Sequence, residues 1–158
     1  MKPVTNHHAP VLPPDSLAPD SPAPESLAAA ARAVLTTGPA RAKAAVSQEM
    51  AARWRAGNFA EIGAFTLTGR PARPSAPTLV PPMKVLKRKI SADPRGRVAL
   101  LHALAHIELN AIDLAWDLVA RFGAAKGPEF CDDWVAVGAD EGRHFLLLDD
   151  RLAELGAG

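Results

Sequence analysis

Two segments of the sequence decide its predicted fold: LHALAHIE at residues 101–108 and DEGRH at residues 140–144. Both lie within apolar repeats spaced by three and four residues, which predicts that each belongs to a long amphipathic helix. Glu141 and His144 are three positions apart, so their side chains project from the same helix face. Helix bundles use Glu-x-x-His pairs of this kind, together with a glutamate such as Glu108 from a neighbouring helix, to bind iron or manganese.

Signals for helix ends place these two segments on neighbouring helices. Asp93 followed by proline is typical of a helix N-terminus and Gly123 of a helix end, which predicts a helix over residues 94–122. Gly127 followed by proline predicts the start of a second helix, which we expect to continue to about Leu155. Because the connection between them is short, the two helices are expected to pack antiparallel as a hairpin.

Three polar side chains interrupt the apolar stripes of the two helices at matching heights. Glu108 lies 17 positions before the predicted turn near residue 125, and Glu141 and His144 lie 16 and 19 positions after it. With equal rise per residue in an antiparallel pair, the three groups are roughly level. A carboxylate on a core-facing stripe is costly unless it is paired, neutralised or bound to a metal. We therefore expect these residues to form one cluster, and we predict that they are metal ligands.

A metal-free interpretation of this cluster remains open at the level of the sequence. In that interpretation one of the glutamates forms a buried ion pair with protonated His144, and Arg143 lies beside them. Both interpretations require the same three groups to converge. Because the expected geometry is the same, the iron content of the purified protein is the measurement that would separate the metal-bound from the metal-free interpretation.

Two further histidines, His102 and His106, lie on the first predicted helix. His106 is about 200° around the helix from Glu108, so these two side chains cannot face one metal centre. Both histidines share a helix face with Asp113 and Asp117. We expect that face to be a partly exposed polar surface, and the alternative is a supporting role behind the metal ligands.

Composition limits the classes of protein to which the chain can belong. The 158 residues include 18 Lys and Arg against 17 Asp and Glu, and the net charge of +1 gives no reason to expect binding to nucleic acid. The single cysteine, Cys131, rules out an intrachain disulfide. Neither a secretory signal nor an uncharged apolar run of about 20 residues is visible, which favours a cytoplasmic protein with no membrane partner.

The chain divides into four predicted segments. Residues 1–24 hold seven of the 15 prolines and are expected to be a disordered tail. Residues 25–57 predict an accessory helical hairpin that is broken at Gly38, and residues 58–93 predict a proline-rich extended segment that wraps across the main domain. Residues 94–156 hold the long helix pair, so the predicted fold class is all-α.

Several phrases of the sequence resemble one protein family. They are GRP at 69–71, LVPP at 79–82, HALAHIEL at 102–109, AIDLA at 111–115, DDW at 132–134 and DEGRHF at 140–145. Together they make the stretch from about residue 71 to residue 155 resemble an uncharacterised bacterial ferritin-like family, domain of unknown function 455. The resemblance implies a ferritin-like hairpin that is half of a four-helix bundle. It also implies that Glu108 is a terminal metal ligand and that Glu141 bridges two metals beside His144.

Members of this family normally continue with a second helical pair that bears another Glu and another Glu-x-x-His, whereas this sequence stops at Gly158. A complete site of this type needs ligands from four helices. The resemblance therefore implies a product truncated after the second bundle helix, whose second helical pair comes from a split or missing segment, or a homodimer in which two copies rebuild the bundle.

The function expected from these features is that of a ferritin-like protein with a partial carboxylate and histidine site. Iron, or manganese as the alternative, is the expected cofactor, because these metals prefer carboxylate and imidazole ligands. Di-iron redox or oxygenase chemistry is expected once a second helix pair completes the site. The alternative is a non-catalytic helical interaction or scaffold module without a working metal centre. The sequence leaves open whether the protein is an enzyme and what its substrate is.

Overall fold

The computed structural model describes residues 25–65, 69–75, 83 and 93–157 of the chain. The regular elements in these ranges are four helices and no strand, which confirms the predicted all-α class. The helices are α1 (Leu27–Thr36), α2 (Ala40–Arg55), α3 (Pro94–Lys126) and α4 (Pro128–Glu154). The predicted tail over residues 1–24 lies outside the described residues, and so does much of the predicted wrap over residues 58–93.

The hairpin of α3 and α4 is the longest packed unit of the described chain. Asp93 caps α3, since its carboxylate accepts a 2.7 Å hydrogen bond from the backbone N–H of Gly96. The predicted helix end at Gly123 is wrong, because α3 continues for another turn and ends at Gly127, whose φ of 90° favours glycine. A Cβ at Gly123 would lie 2.9 Å from the Sγ of Cys131 on α4. This glycine therefore permits close approach of the two helices.

One side of the hairpin is covered by α1 and α2. Ser26 caps α1 through a 3.1 Å hydrogen bond from the backbone N–H of Ala29 to its hydroxyl oxygen. α1 packs mainly on α3, and α2 packs mainly on α4. The buried faces of all four helices form one hydrophobic core, whose larger members are Leu27, Val34, Leu35, Met50, Ile112, Trp116, Val119, Val135, Phe145 and Leu152.

Two hydrogen bonds and two glycines fasten α2 to the hairpin. The indole Nε1 of Trp116 donates to the hydroxyl oxygen of Ser47, and that hydroxyl donates to the carbonyl oxygen of Gly138, both at 2.7 Å. A Cβ at Gly138 would lie 2.7 Å from the indole nitrogen, and a Cβ at Gly142 would lie 3.1 Å from the carbonyl oxygen of Ala44. These contacts bring α4 close to α2 and α3, and they fix the register of the hairpin.

The described parts of the segment between α2 and α3 lie along the core. The backbone N–H of Ala28 donates to the carbonyl oxygen of Ile62 at 2.8 Å, and the N–H of Phe65 donates to the carbonyl oxygen of Ala120 at 3.2 Å. The side chains of Ile62 and Phe65 are partly buried against the core. This part of the segment therefore satisfies backbone groups and covers apolar surface at the same time.

A buried charge cluster that the sequence did not predict ties α2 to α3. The ammonium of Lys43, whose side chain is 0% exposed, lies 2.5 Å from a carboxylate oxygen of Asp113 and donates to the carbonyl oxygen of Ala72 at 2.7 Å. Arg73 lies 2.6 Å from the other Asp113 oxygen. Burial raises the pKa of Asp113 and lowers the pKa of Lys43, because the charged forms lose water there. The expectation that Asp113 shares a partly exposed polar face with His106 is therefore wrong.

By length and apolar composition, α3 could cross a lipid bilayer. The core helix of a water-soluble protein meets the same criterion, so composition alone is weak evidence for a membrane segment. In the described part of the chain, α3 packs against α1, α2 and α4. Its buried flank also carries Asp113, whose charge is paired by neighbouring segments of the same chain.

Removal of the Asp113 carboxylate should strongly destabilise the fold. Asp113→Ala leaves the ammonium of Lys43 buried without its counterion, so the free energy of unfolding should fall by about 3–5 kcal/mol. Asp117→Ala, on the same helix, removes only a partly exposed pair with Arg121 and should cost less than about 1 kcal/mol. Urea unfolding of both variants measures the difference, and equal losses would contradict the importance assigned to the buried pair.

Candidate metal centre

The three side chains singled out by the sequence meet between α3 and α4. Glu108 comes from the middle of α3, and Glu141 and His144 come from successive turns of α4. One ligand atom from each residue lies within 4.8 Å of the other two, and all three residues are partly buried. The equal heights expected from their positions in the chain are therefore found in the structure.

The imidazole of His144 lies between two neighbours on its own helix. Its Nδ1 is 3.3 Å from a carboxylate oxygen of Glu141, and its Nε2 is 3.2 Å from a guanidinium nitrogen of Arg143. A guanidinium group only donates hydrogen bonds, so Nε2 accepts and the ring proton is assigned to Nδ1, which donates to Glu141. This arrangement directs Nδ1 towards the carboxylates.

The carboxyl group of Glu108 has a raised pKa. The main cause is a hydrogen bond with Glu141. Partial burial and the negative charge of Glu141 raise the pKa further, and the charge of His144 lowers it. Two carboxyl groups this close favour a state in which they share one proton. A divalent cation placed between the two groups would take the role of that proton and satisfy both negative charges.

The chemistry of the donor atoms suits a divalent cation such as iron or manganese. Two carboxylates and one imidazole are ligands that these metals prefer over the thiolates of soft-metal sites. With one ligand atom from each residue, three donors fill half of an octahedral shell, and the other ligands would come from water, a substrate or another polypeptide segment. The side chain of His144 is 42% exposed and that of Glu141 is 23% exposed, so the cluster is open to solvent on one side.

The other candidate residues named from the sequence do not join the cluster. His102 and His106 are exposed on a different flank of α3. Cys131 is buried beside Gly123, and burial raises the pKa of its thiol above the ordinary value. Its surroundings therefore favour the neutral thiol, which is a poor metal ligand.

Polar residues of α2 contribute to the frame of the site, and the sequence pattern did not single them out. The hydroxyl of Ser47 holds the backbone of α4 at Gly138, and the Gln48 side-chain amide donates to the carbonyl oxygen of Ala139 at 2.6 Å. Both contacts lie within one turn of the Glu141 position. The available signal was the spacing of Lys43, Ser47 and Met50 by four and three residues, which is typical of a buried helix stripe.

In the metal-free protein, Glu108→Gln should increase stability at neutral pH. The folded state holds the Glu108 proton more tightly than the unfolded chain, so this residue's contribution to stability is lost as pH rises through its raised pKa. Glutamine keeps a donor for the hydrogen bond to Glu141 and carries no charge. The variant should therefore gain in free energy of unfolding at pH 7, and the gain should vanish near about pH 4.

Urea unfolding at the two pH values measures this difference, and Glu49→Gln provides the control. Glu49 is exposed on α2, away from the cluster, so its substitution should change the free energy of unfolding by less than about 0.5 kcal/mol at both pH values. A loss of stability in Glu108→Gln at pH 7 would contradict the account of the two carboxyl groups.

Comparison with known proteins identifies the family that the resemblance indicated. A protein of Haemophilus influenzae, described as "Uncharacterized protein", is 42% identical over 91 residues, which cover 54% of this chain and 31% of the relative. The matched part of the chain thus spans about a third of that relative's length. No solved structure matches the chain. Residues 36–158 match the family described as "Protein of unknown function (DUF455)", and because this match covers well over half of the sequence, the chain belongs to the DUF455 family.

Proposed function

We propose that this chain binds iron or manganese through Glu108, Glu141 and His144. The observation that carries the proposal is the convergence of two carboxylates and one imidazole, from two helices, to within 4.8 Å. The same donors form one half of the carboxylate-bridged di-metal centres of ferritin-like helix bundles. In this proposal the chain is a ferritin-like protein with a partial site, and redox or oxygenase chemistry follows when a second helix pair completes that site.

One feature of the cluster favours a bound cation over an ion pair without metal. The cluster holds two carboxyl groups and His144 carries at most one positive charge, so an ion pair leaves one carboxylate unmatched, whereas a divalent cation matches both.

Metal binding would change the hydrogen bonds of His144. Nδ1 gives up its proton when it acts as a ligand, and Nε2 then carries the ring proton. Nε2 becomes a donor and can no longer accept from Arg143. The Arg143 side chain is 57% exposed and already lies 3.4 Å from Asp140, so it can turn towards that carboxylate without disturbing the core.

A bound iron or manganese ion would supply one-electron chemistry, and the residues of this chain would control access to it. The two glutamates would balance the charge of the ion. Exposure of the His144 side chain leaves the site accessible to water and to small molecules from one side. The packed face of α4, with Gly138 and Gly142 against α2 and α3, closes the opposite side. The chain thus offers an open, one-sided site.

A second function, a non-catalytic helical interaction module, is favoured by a different observation. Large hydrophobic side chains are exposed on α3, among them Ile107 and Leu114, each 57% exposed. Ile107 and Leu114 are seven residues apart and share one face of α3, and apolar side chains grouped in this way are typical of faces that bind another protein segment. This function depends on the apolar side chains of α3 and α4 and does not require a metal. A measurement of metal binding therefore distinguishes the two proposals.

Calorimetric titration with Mn(II) tests the proposed metal centre. The chain, stripped of metal with a chelator, should bind the ion, and Glu141→Gln or His144→Ala should weaken binding at least about tenfold, which corresponds to about 1.4 kcal/mol. Asp133→Asn provides the matched control, because Asp133 is exposed near the start of α4 and belongs to no ligand set. Its affinity for Mn(II) should equal that of the wild type.

Two results of this titration would contradict the proposal. The first is a wild-type chain, shown to be folded by its helical circular dichroism, that binds no Mn(II) or Fe(II). The second is an Asp133→Asn variant that loses as much affinity as Glu141→Gln, since that pattern indicates non-specific attraction to an acidic surface. Either result would leave the interaction module as the better description.

A further inference from the structure

Two histidines on consecutive turns of α3 lie outside the candidate metal centre. His102 and His106 are both exposed and are four residues apart in the same helix. Side chains at this spacing lie one above the other on one helix face, with their Cβ atoms about 5–6 Å apart. Among the residues that the structure describes, neither imidazole has a hydrogen bond, an ion pair or a ring contact. The ring nitrogens of both histidines are therefore available to a ligand.

The contacts of this flank of α3 with other segments end just before the histidines. One turn beyond His106, the amide oxygen of Asn110 accepts a 2.5 Å hydrogen bond from the guanidinium of Arg73, and its amide nitrogen donates to the carbonyl oxygen of His106 at 2.9 Å. Three residues further along α3, Asp113 is buried against Lys43. In the described part of the chain these contacts reach only as far as Asn110, which leaves the histidine pair open to solvent.

Packing gives no reason for two histidines at these positions. Neither ring belongs to the hydrophobic core, and histidine is only a moderate helix former. The residues beside the rings on the helix surface, Ala99 and Ala103, are small, so both rings can turn about their side-chain bonds. The pair thus combines free nitrogens, solvent access and room to reorient.

We infer that His102 and His106 form a second metal site, which binds zinc or a similar late transition metal. Imidazole nitrogens are ligands that these metals prefer, and metalloproteases bind zinc through two histidines at positions i and i+4 of a helix. Zinc–nitrogen bonds are about 2.0–2.1 Å long, so two imidazole nitrogens on one tetrahedral ion lie about 3.3 Å apart. Rings that project from Cβ atoms about 5–6 Å apart can converge to that separation.

This second site differs from the candidate metal centre in its donors and in its position. Among the described residues, the one cluster of three or more candidate ligands is that of Glu108, Glu141 and His144, so the pair offers two nitrogens and no carboxylate. His106 and Glu108 are about 200° apart around α3, and the two sites therefore face different sides of the helix. The inference does not rest on the proposed function, because it uses none of the three residues of the cluster.

Two protein donors make the second site exchangeable. Structural zinc sites have four protein ligands and catalytic sites have three, whereas this pair leaves two tetrahedral positions to water or to donors from outside the chain. Exposure of both histidines gives such donors access to the ion. Because the ion does not hold separate segments of the chain together, it should stabilise the fold only by mass action.

Zinc titration of a chain that keeps only these two histidines tests the inference. The sequence has five histidines, and His7→Asn, His8→Asn and His144→Ala leave only His102 and His106. This full-length background variant should bind one Zn(II) ion in calorimetry. Further substitution of His102→Ala or His106→Ala should weaken binding at least about tenfold, which corresponds to about 1.4 kcal/mol.

A variant with altered spacing is the matched control. In the same background, His106→Ala with Ala103→His keeps two histidines at exposed positions but makes them adjacent, about 100° apart around the helix. Two such rings do not face one ion, so the affinity for Zn(II) should fall to that of the single-histidine variants. Electron paramagnetic resonance of bound Cu(II) gives a second readout. The background variant should show splitting from two imidazole nitrogens, and the spacing variant should show splitting from one.

Three results would overturn the inference. They are a background variant with wild-type helical circular dichroism that binds no Zn(II), a spacing variant that binds Zn(II) as tightly as the background, and a Cu(II) spectrum of the background with splitting from one nitrogen. If His144→Ala loses helical circular dichroism, His144→Gln replaces it in the background. None of these results bears on Mn(II) binding by the wild-type chain, so the inference and the proposed function fail separately.

Discussion

Contact between the Trp116 indole and Gly138 sets the register on which the candidate metal centre depends. A Cβ at Gly138 would lie 2.7 Å from the indole nitrogen, so a larger residue would force α4 away from α3. Glu108 lies eight residues before Trp116, and His144 lies six residues after Gly138. In an antiparallel pair this difference of two residues is about 3 Å along the helix axis, which long side chains span. A slip of one turn would add about 5 Å and separate the ligands.

The two sides of the same hairpin differ in how their polar groups are satisfied. Under α1 and α2, the ammonium of Lys43 and the indole of Trp116 each have a partner, and apolar side chains fill the remaining space. On the opposite side, the carboxyl group of Glu108 has a raised pKa beside Glu141, and large apolar side chains such as Ile107 and Leu114 are exposed to solvent. A cation would satisfy the two carboxyl groups, and a second helix pair would cover the exposed apolar side chains. The proposed metal centre would therefore satisfy the charged groups on this side of the hairpin.

Local sequence patterns were sufficient to predict the helices and the cluster. Features that depend on contacts between residues far apart in the sequence could not be predicted. Helical spacing and the cap at Asp93 predicted the hairpin. Because the turn between its helices is short, the number of residues between a side chain and the turn then predicted the position of that side chain along the hairpin axis. Gly123 was misassigned, since a glycine that ends a helix and a glycine that admits a neighbouring helix look alike in a sequence. The pair of Lys43 and Asp113 was missed because its members are 70 residues apart and meet only when α2 packs on α3.

Anomalous X-ray diffraction at the manganese edge, from crystals of the chain grown with Mn(II), tests the central claim most directly. The account predicts anomalous density between α3 and α4, within about 2.5 Å of carboxylate oxygens of Glu108 and Glu141 and of Nδ1 of His144. In the same crystals, the Arg143 guanidinium should no longer donate to Nε2 of His144. It should instead lie closer to the carboxylate of Asp140. Density confined to exposed acids elsewhere, with the three residues in their metal-free arrangement, would contradict it.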